Sequence, residues 1–182
     1  MPQHILAVLH RLNRLVAIII GMMLMACVAF VLTDIMLRRL GVSLGGTDEI
    51  TGYVMAIASA WGMGFVLLEL AHVRIDVVRS RLTRFWRSLL DLFSMLVLSS
   101  TITVIAFRCW PVVETTLRNS ARANTSLETP LWFVQLPWLA GWIWFAIMAW
   151  ATFLAALVLV IKGAHADAER VIGVVTELEM AL

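Results

Sequence analysis

The residues best placed to do chemistry form a short polar segment after the second apolar run of the chain. Glu69 and His72 have the Glu-x-x-His spacing of di-iron helix bundles, and Asp76 extends the same helical face by one turn. A di-iron site also needs a second Glu-x-x-His and two further carboxylates at matching depth, which the apolar runs do not supply. We therefore expect no metal site, and we interpret these residues as polar groups at a helix end.

Haem is another cofactor that small helical membrane proteins hold, through two histidines at similar depth. The four histidines fall at or outside the ends of the apolar runs: His4, His10, His72 and His165. The sequence also lacks a glycine-rich phosphate loop, a nucleophile triad and a paired cysteine motif. We expect no cofactor and no enzymatic activity. A haem- or quinone-binding membrane anchor of a respiratory enzyme remains the alternative.

The composition indicates an integral membrane protein. Of the 182 residues, 62% are hydrophobic and 14% are charged, and the mean hydropathy is +0.93. In soluble domains about a quarter of the residues are charged. The net charge of +2 is too small to indicate a nucleic-acid partner. Cys27 and Cys109 fall in or near different spans, so we expect no disulfide between them.

Four apolar runs are long enough to cross a membrane, and the sequence predicts an all-α membrane protein with one domain over residues 1–182. About 20 apolar residues in a helix span a hydrocarbon core about 30 Å thick. The predicted spans are residues 15–33, 50–68, 89–107 and 131–161. In the last run Pro137 is expected to kink or restart the helix, and the tryptophans near its start indicate an interfacial belt. We expect a surface helix or a partly ordered tail over residues 162–182.

The stretch between the second and third spans is rich in arginine and has an apolar arc at helical spacing. The arc contains Ile75, Val78, Leu82, Phe85, Trp86 and Leu89. The arginines on the remaining surface are Arg74, Arg79, Arg81, Arg84 and Arg87. Such a helix lies flat in the membrane surface, with its guanidinium groups near anionic lipids. We predict a cytoplasmic interfacial helix over residues 74–88, with a plain charged connection as the alternative.

The distribution of basic residues predicts the topology. Four spans place both ends of the chain on the same side as the arginine-rich stretch, and that side carries more Lys and Arg than the other. The positive-inside rule then puts both termini in the cytoplasm. No small-residue cleavage site follows the first span, so we expect that span to remain as an anchor.

The second span is rich in small residues, which let helix backbones approach closely in lipid. The residues that we expect to pack against a neighbouring helix are Gly52, Ala56, Ser59, Trp61 and Gly64. The neighbour is either another helix of this chain or a partner subunit, and the sequence leaves both open. No span has an ionisable residue near its centre, which favours a scaffold over a carrier with its own substrate site.

Several residues around the second span stand in a recognisable order. Arg38 and Arg39 follow the first span, and Glu49 opens the second. Trp61 and Gly64 lie within the second span, and a His-x-Arg-x-Asp motif, His72, Arg74 and Asp76, stands at its exit. Together with the plan of four spans, this order resembles the small membrane subunit, the DctQ-type or Q component, of tripartite ATP-independent periplasmic (TRAP) transporters.

The resemblance implies a scaffold in the bacterial inner membrane, joined to a much larger subunit that carries the substrate and sodium sites. A soluble periplasmic binding protein would deliver the substrate, and the process would be sodium-driven uptake of an organic acid. On this interpretation His72 and Asp76 fix the bend after the second span. The residues expected to contact the binding protein lie in the second periplasmic loop and at its edge: Glu114, Arg118, Arg122 and Glu128.

Overall fold

The computed structural model describes residues 2–68 and 82–172, without the side chains of residues 2–8, 84, 166, 167, 169 and 170. This part of the chain folds into five α-helices and contains no β-strand. The helices are α1 (Pro2–Arg39), α2 (Thr47–Leu68), α3 (Arg84–Asn119), α4 (Trp132–Ile161) and α5 (His165–Ile172). Helices α1 to α4 are long and apolar enough to cross a membrane. The predicted all-α class and the four membrane-length helices are thus confirmed.

Local sequence accounts for the helix ends. Helix α1 carries Arg38 and Arg39 in its last turn, where the helix dipole favours positive charge, and Gly41 adopts a left-handed conformation just after it. Helix α2 has Asp48 and Glu49 in its first turn, where the dipole favours negative charge. The loops over residues 40–46 and 120–131 meet at one end of the bundle, where Gly46 lies against Leu127. We call this end the loop end.

Helix α4 is the centre of the bundle. Helices α2 and α3 both pack against it, α1 packs mainly against α2, and α5 packs against α4 and α3. The main core includes Leu67, Met95, Met148 and Phe145 from three different helices. Ile172 of α5 joins the same core. We call the end that α5 covers the tail end.

Helices α1 and α3 extend well beyond the predicted spans, whereas α4 keeps the predicted length. Helix α3 continues through Pro111 to Asn119, and its 36 residues measure about 54 Å at 1.5 Å per residue. Helix α4 continues through Pro137, so the chain does not restart there. How much of each helix lies in lipid stays a prediction.

The predicted interfacial helix is described only in part. Residues 84–88 form the start of α3, and Thr83 before them is extended, with φ −68° and ψ 159°. Residues 69–81 lie outside the described part of the chain, as do residues 173–182 of the tail. The flat helix therefore stays a prediction.

Candidate functional site at the loop end

An open cleft of about 540 Å³ lies at the loop end of the bundle. Its walls come from the last turn of α1, the first two turns of α2 and the loop between α3 and α4. The lining residues are Arg38, Gly46, Thr47, Asp48, Glu49, Gly52, Tyr53, Thr125 and Ser126. We call this feature the loop cleft. Two residues of the sequence motif, Arg38 and Glu49, both line the loop cleft.

Asp34 neutralises the one arginine that lines the loop cleft. Its side chain is 1% exposed. One carboxylate oxygen accepts a hydrogen bond from Arg38 Nε at 2.7 Å, and the other accepts one from the Leu44 amide at 2.9 Å. Such charge-assisted bonds are stronger than neutral ones. Asp34 therefore fixes the path of the α1–α2 loop and pairs the charge of Arg38.

Glu49 connects α2 to the loop between α3 and α4. The Tyr53 hydroxyl donates a hydrogen bond to Glu49 Oε1. The Thr125 and Thr129 hydroxyls and the Leu127 amide also lie close enough to donate to the carboxylate. Glu49 therefore fixes the start of α2 to the loop between α3 and α4.

The charges that line the loop cleft do not balance. Arg38 is paired with Asp34, while Asp48 is exposed and Glu49 is partly buried. Neither Asp48 nor Glu49 forms an ion pair with any residue that the structure describes. The N-terminal dipole of α2 stabilises both carboxylates. The dipole thus offsets part of the negative charge of the cleft.

The second half of α2 packs inside the bundle, against α4. Trp61 Nε1 donates a hydrogen bond to the Pro137 carbonyl at 2.9 Å, and its ring lies 6.2 Å from that of Trp144. The closest approach is at Gly141, one turn after Pro137. A Cβ atom on Gly141 would lie 2.8 Å from Ala60 Cβ and 2.8 Å from Trp61 Cδ1. We call Ala60, Trp61 and Gly64 the inner face of α2.

Asn13 ties α1 to the inner face of α2. It is 2% exposed, and its Nδ2 donates a hydrogen bond to the Gly64 carbonyl at 3.1 Å. Trp144 Nε1 reaches Asn13 Oδ1 at a longer 3.5 Å. Three helices meet at this side chain. Sequence reasoning missed Asn13 because it lies between Arg11 and Arg14, in a stretch that looks interfacial.

The exposed residues of α2 form one narrow stripe from Asp48 to Met63. They are Asp48, Gly52, Met55, Ser59 and Met63. At about 100° per residue they fall within an arc of about 80°. We call them the outer stripe. Of the residues predicted to pack against a neighbouring helix, Gly52 and Ser59 belong to this stripe, Trp61 and Gly64 belong to the inner face, and Ala56 is half-buried between them.

The residues predicted to lie on the membrane surface are only partly described. Phe85 and Trp86 are both 55% exposed at the start of α3. Arg87 Nε donates a hydrogen bond to the Leu82 carbonyl at 2.9 Å, and Arg84 begins the helix. The others lie outside the described residues: His72, Arg74, Asp76, Arg79 and Arg81.

The four residues predicted to contact a binding protein all lie at the loop end. Arg118 and Glu114 form an ion pair of 2.7 Å in the last turns of α3. Arg122 pairs with Pro130 in an isolated antiparallel bridge, and Glu128 adopts a left-handed backbone conformation with φ 44°. Arg118, Arg122 and Glu128 are exposed. The structure brings these side chains to the same end as the loop cleft.

The cofactor alternative gains no support from the described residues. Among them, no group of three or more His, Cys, Asp or Glu side chains is placed to hold a metal ion. His10 is exposed near the start of α1, and His165 of α5 packs edge-on against Phe85 with ring centroids 6.0 Å apart.

Comparison with known proteins identifies the family. No curated protein and no solved structure matches the chain. The model of one family, described as the DctQ component of tripartite ATP-independent periplasmic transporters, matches residues 27–154, which is more than half of the 182. This match confirms the resemblance in the sequence. The chain therefore belongs to the DctQ family, the small multi-pass membrane components that work with a large membrane subunit and a periplasmic binding protein.

Proposed function

We propose that this chain is the fixed scaffold subunit of a sodium-driven transporter that imports an organic acid delivered by a periplasmic binding protein. The observation that carries the proposal is the lack of charge within the predicted spans. Across residues 15–33, 50–68, 89–107 and 131–161 the single charged residue is Asp91, near the start of the third span. Secondary transporters hold substrate and coupling ion with polar groups near the midplane. The substrate and sodium sites would then lie in the large subunit.

The location follows from the same proposal. The chain would lie in the bacterial inner membrane with both termini in the cytoplasm, because the side of the termini carries more Lys and Arg. The loop end would then face the periplasm. The predicted interfacial helix over residues 74–88 would rest on anionic lipids at the cytoplasmic surface.

The loop end would also help dock the binding protein. The Arg118 and Glu114 side chains are 77% and 41% exposed, so their ion pair adds little to stability and both charges are open to a partner. We expect the Arg118→Glu variant to fold normally but to weaken binding-protein docking several-fold, as measured by surface plasmon resonance on the complex in nanodiscs. Arg39→Gln, an exposed position at the same end that does not line the loop cleft, serves as a charge-changing control. Unchanged docking and uptake in the Arg118→Glu variant would rule out this contact.

The direct test is recovery of the partners. The tagged chain is expressed in its native host, solubilised gently, and the proteins that co-purify are identified by mass spectrometry. We expect a large polytopic subunit, and the reconstituted pair should take up an organic acid only with its binding protein and a sodium gradient. Recovery of a redox enzyme, or a Soret absorption band in the purified chain, would contradict the proposal.

A further inference from the structure

The contacts between the four membrane-length helices define one common height along the bundle. Gly64 of α2 accepts a hydrogen bond from Asn13 of α1 and lies against Trp144 of α4. Trp142, close to Trp144 on the same helix, packs against the cluster that contains Cys109 of α3. Asn13 and Cys109 therefore lie at nearly the same height. We call this height the Asn13 level.

The charge-free runs of α1 and α3 extend from the Asn13 level in opposite directions. The run of α1, residues 15–33, starts after Arg14 and extends toward the loop end. The run of α3, residues 92–107, stops before Arg108 and lies on the tail-end side. Arg14 and Arg108 are both exposed. At 1.5 Å per residue, the centres of the two runs are offset by roughly 30 Å along the bundle.

Helices α1 and α3 also lie at opposite edges of the bundle, because α1 packs mainly against α2 and α3 packs against α4. Each of their charge-free runs is nearly as long as the hydrocarbon core is thick. A bilayer perpendicular to the bundle axis therefore cannot cover both runs. It would place either Arg11 of α1 or Arg118 of α3, both exposed, in hydrocarbon. Charged side chains there are rare and unfavourable.

The central helix has the length that an oblique crossing needs. Its charge-free run, residues 131–161, extends to both sides of the Asn13 level and measures about 46 Å at 1.5 Å per residue. A helix that crosses upright needs only about 20 residues. A longer apolar stretch can be accommodated by tilting the helix in the bilayer.

We propose that the whole bundle is steeply tilted, in the direction that brings the charge-free runs of α1 and α3 into the same hydrocarbon core. The surface that contacts lipid is then an oblique band, from the loop-end half of α1 to the tail-end half of α3. Membrane helices tilt by about 20° on average, and the offset between the two runs requires a larger angle.

The tilt has a consequence for the loop end. The last turns of α3, Arg108–Asn119, leave the hydrocarbon core as a helical projection that carries the exposed ion pair of Glu114 and Arg118. The tilt is a property of the bundle and goes beyond the proposed function, which does not depend on it.

The test compares spin labels at equal heights on the two edge helices, in the full chain in lipid nanodiscs with Cys27 and Cys109 replaced by alanine. The first pair is Met22 of α1 and Leu117 of α3, which are both exposed and lie more than two turns from the Asn13 level toward the loop end. The readout is the accessibility of each label to oxygen, which concentrates in lipid, relative to a water-soluble nickel complex. We expect this ratio to be several-fold higher at Met22 than at Leu117.

The second pair should show the opposite order. His10 of α1 and Val104 of α3 are exposed and lie within two turns of the Asn13 level on the tail-end side. We expect the higher ratio at Val104. Equal ratios within both pairs would indicate an upright bundle and overturn the inference. A lipid-like ratio at Leu117 would place the charged end of α3 in hydrocarbon and would overturn it as well.

The unmodified chain provides an independent measurement. Polarised infrared spectroscopy in oriented bilayers gives the mean helix tilt from the amide I dichroism, and we expect a value clearly above the usual figure of about 20°. A mean tilt no greater than that figure would overturn the inference and leave the proposed function standing. The proposed function fails separately, if the tagged chain recovers no large membrane subunit.

Discussion

The two faces of α2 use small residues in different ways. On the inner face, Gly64 lies against Trp144, and a Cβ atom there would contact Trp144 Cδ1 at 3.4 Å. On the outer stripe, Gly52 faces open space. One helix therefore carries small residues that the bundle uses and small residues that it does not use. A count of glycines cannot show which of them the bundle packs closely, whereas the space around each glycine can.

The largest effect on the bundle is expected from Gly141→Ala. The added Cβ would lie 2.8 Å from Ala60 Cβ and 3.0 Å from the Ala60 backbone carbon, so the two helices must move apart. Overpacking of this kind costs about 1–3 kcal/mol, and the melting temperature of the purified chain, followed by tryptophan fluorescence, should fall. Gly62→Ala is the control, because its Cβ has no atom within 4 Å. Equal melting temperatures for the two variants would contradict the close approach of α2 and α4.

A smaller effect is expected from Asn13→Leu, which removes the polar contact between α1 and the inner face. Hydrogen bonds between membrane helices contribute about 0.6 kcal/mol on average and at most about 1.7 kcal/mol. The melting temperature should therefore fall modestly. Thr101→Val is the control, since the Thr101 hydroxyl bonds only within its own helix, to the Val97 carbonyl at 2.8 Å. A stability equal to that of the control would show that Asn13 does not hold α1 in place.

The smallest effect is expected from Gly64→Ala. The added methyl would meet Trp144 at an ordinary van der Waals distance of 3.4 Å, and alanine favours the helix by up to about 1 kcal/mol. The melting temperature should therefore stay the same or rise slightly. A fall as large as that of Gly141→Ala would mean that the inner face is packed more tightly around Gly64 than the distances indicate. A larger replacement, Gly64→Leu, would disturb the bundle itself and so could not report on a partner surface.

The sequence was sufficient to predict the number of spans and the family, because long apolar runs and the residues around Glu49 are local signals. It could not give the order of packing, in which α4 is central and α1 peripheral. Nor could it separate Trp144, which reaches Asn13 inside the bundle, from the tryptophans expected at the interface. The sequence also could not indicate the close packing at Gly141, because its neighbours Ala60 and Trp61 are about 80 positions away in sequence. Contacts between distant segments leave no periodic pattern in one sequence.

The candidate site also has some features that the sequence predicts and others that only the folded structure shows. Asp48, Glu49 and Arg38 could be selected from their places at helix ends, where the dipole favours their charges. Their meeting in one cleft with Thr125 depends on how the two loops pack together. Gly46 permits that packing: it has a φ of +65°, and its missing Cβ leaves room for Leu127. Only the folded chain shows that Arg38 is already paired with Asp34 and that Glu49 is held by Tyr53 and the loop between α3 and α4.

The measurement that tests the central claim most directly compares the melting temperature of Gly52→Leu with that of Gly141→Ala. If the inner face holds the bundle and the outer stripe lies outside it, Gly52→Leu will keep the melting temperature of the unmodified chain. Gly141→Ala will lower the melting temperature. A melting temperature of Gly52→Leu as low as that of Gly141→Ala would contradict the division of α2 into two faces.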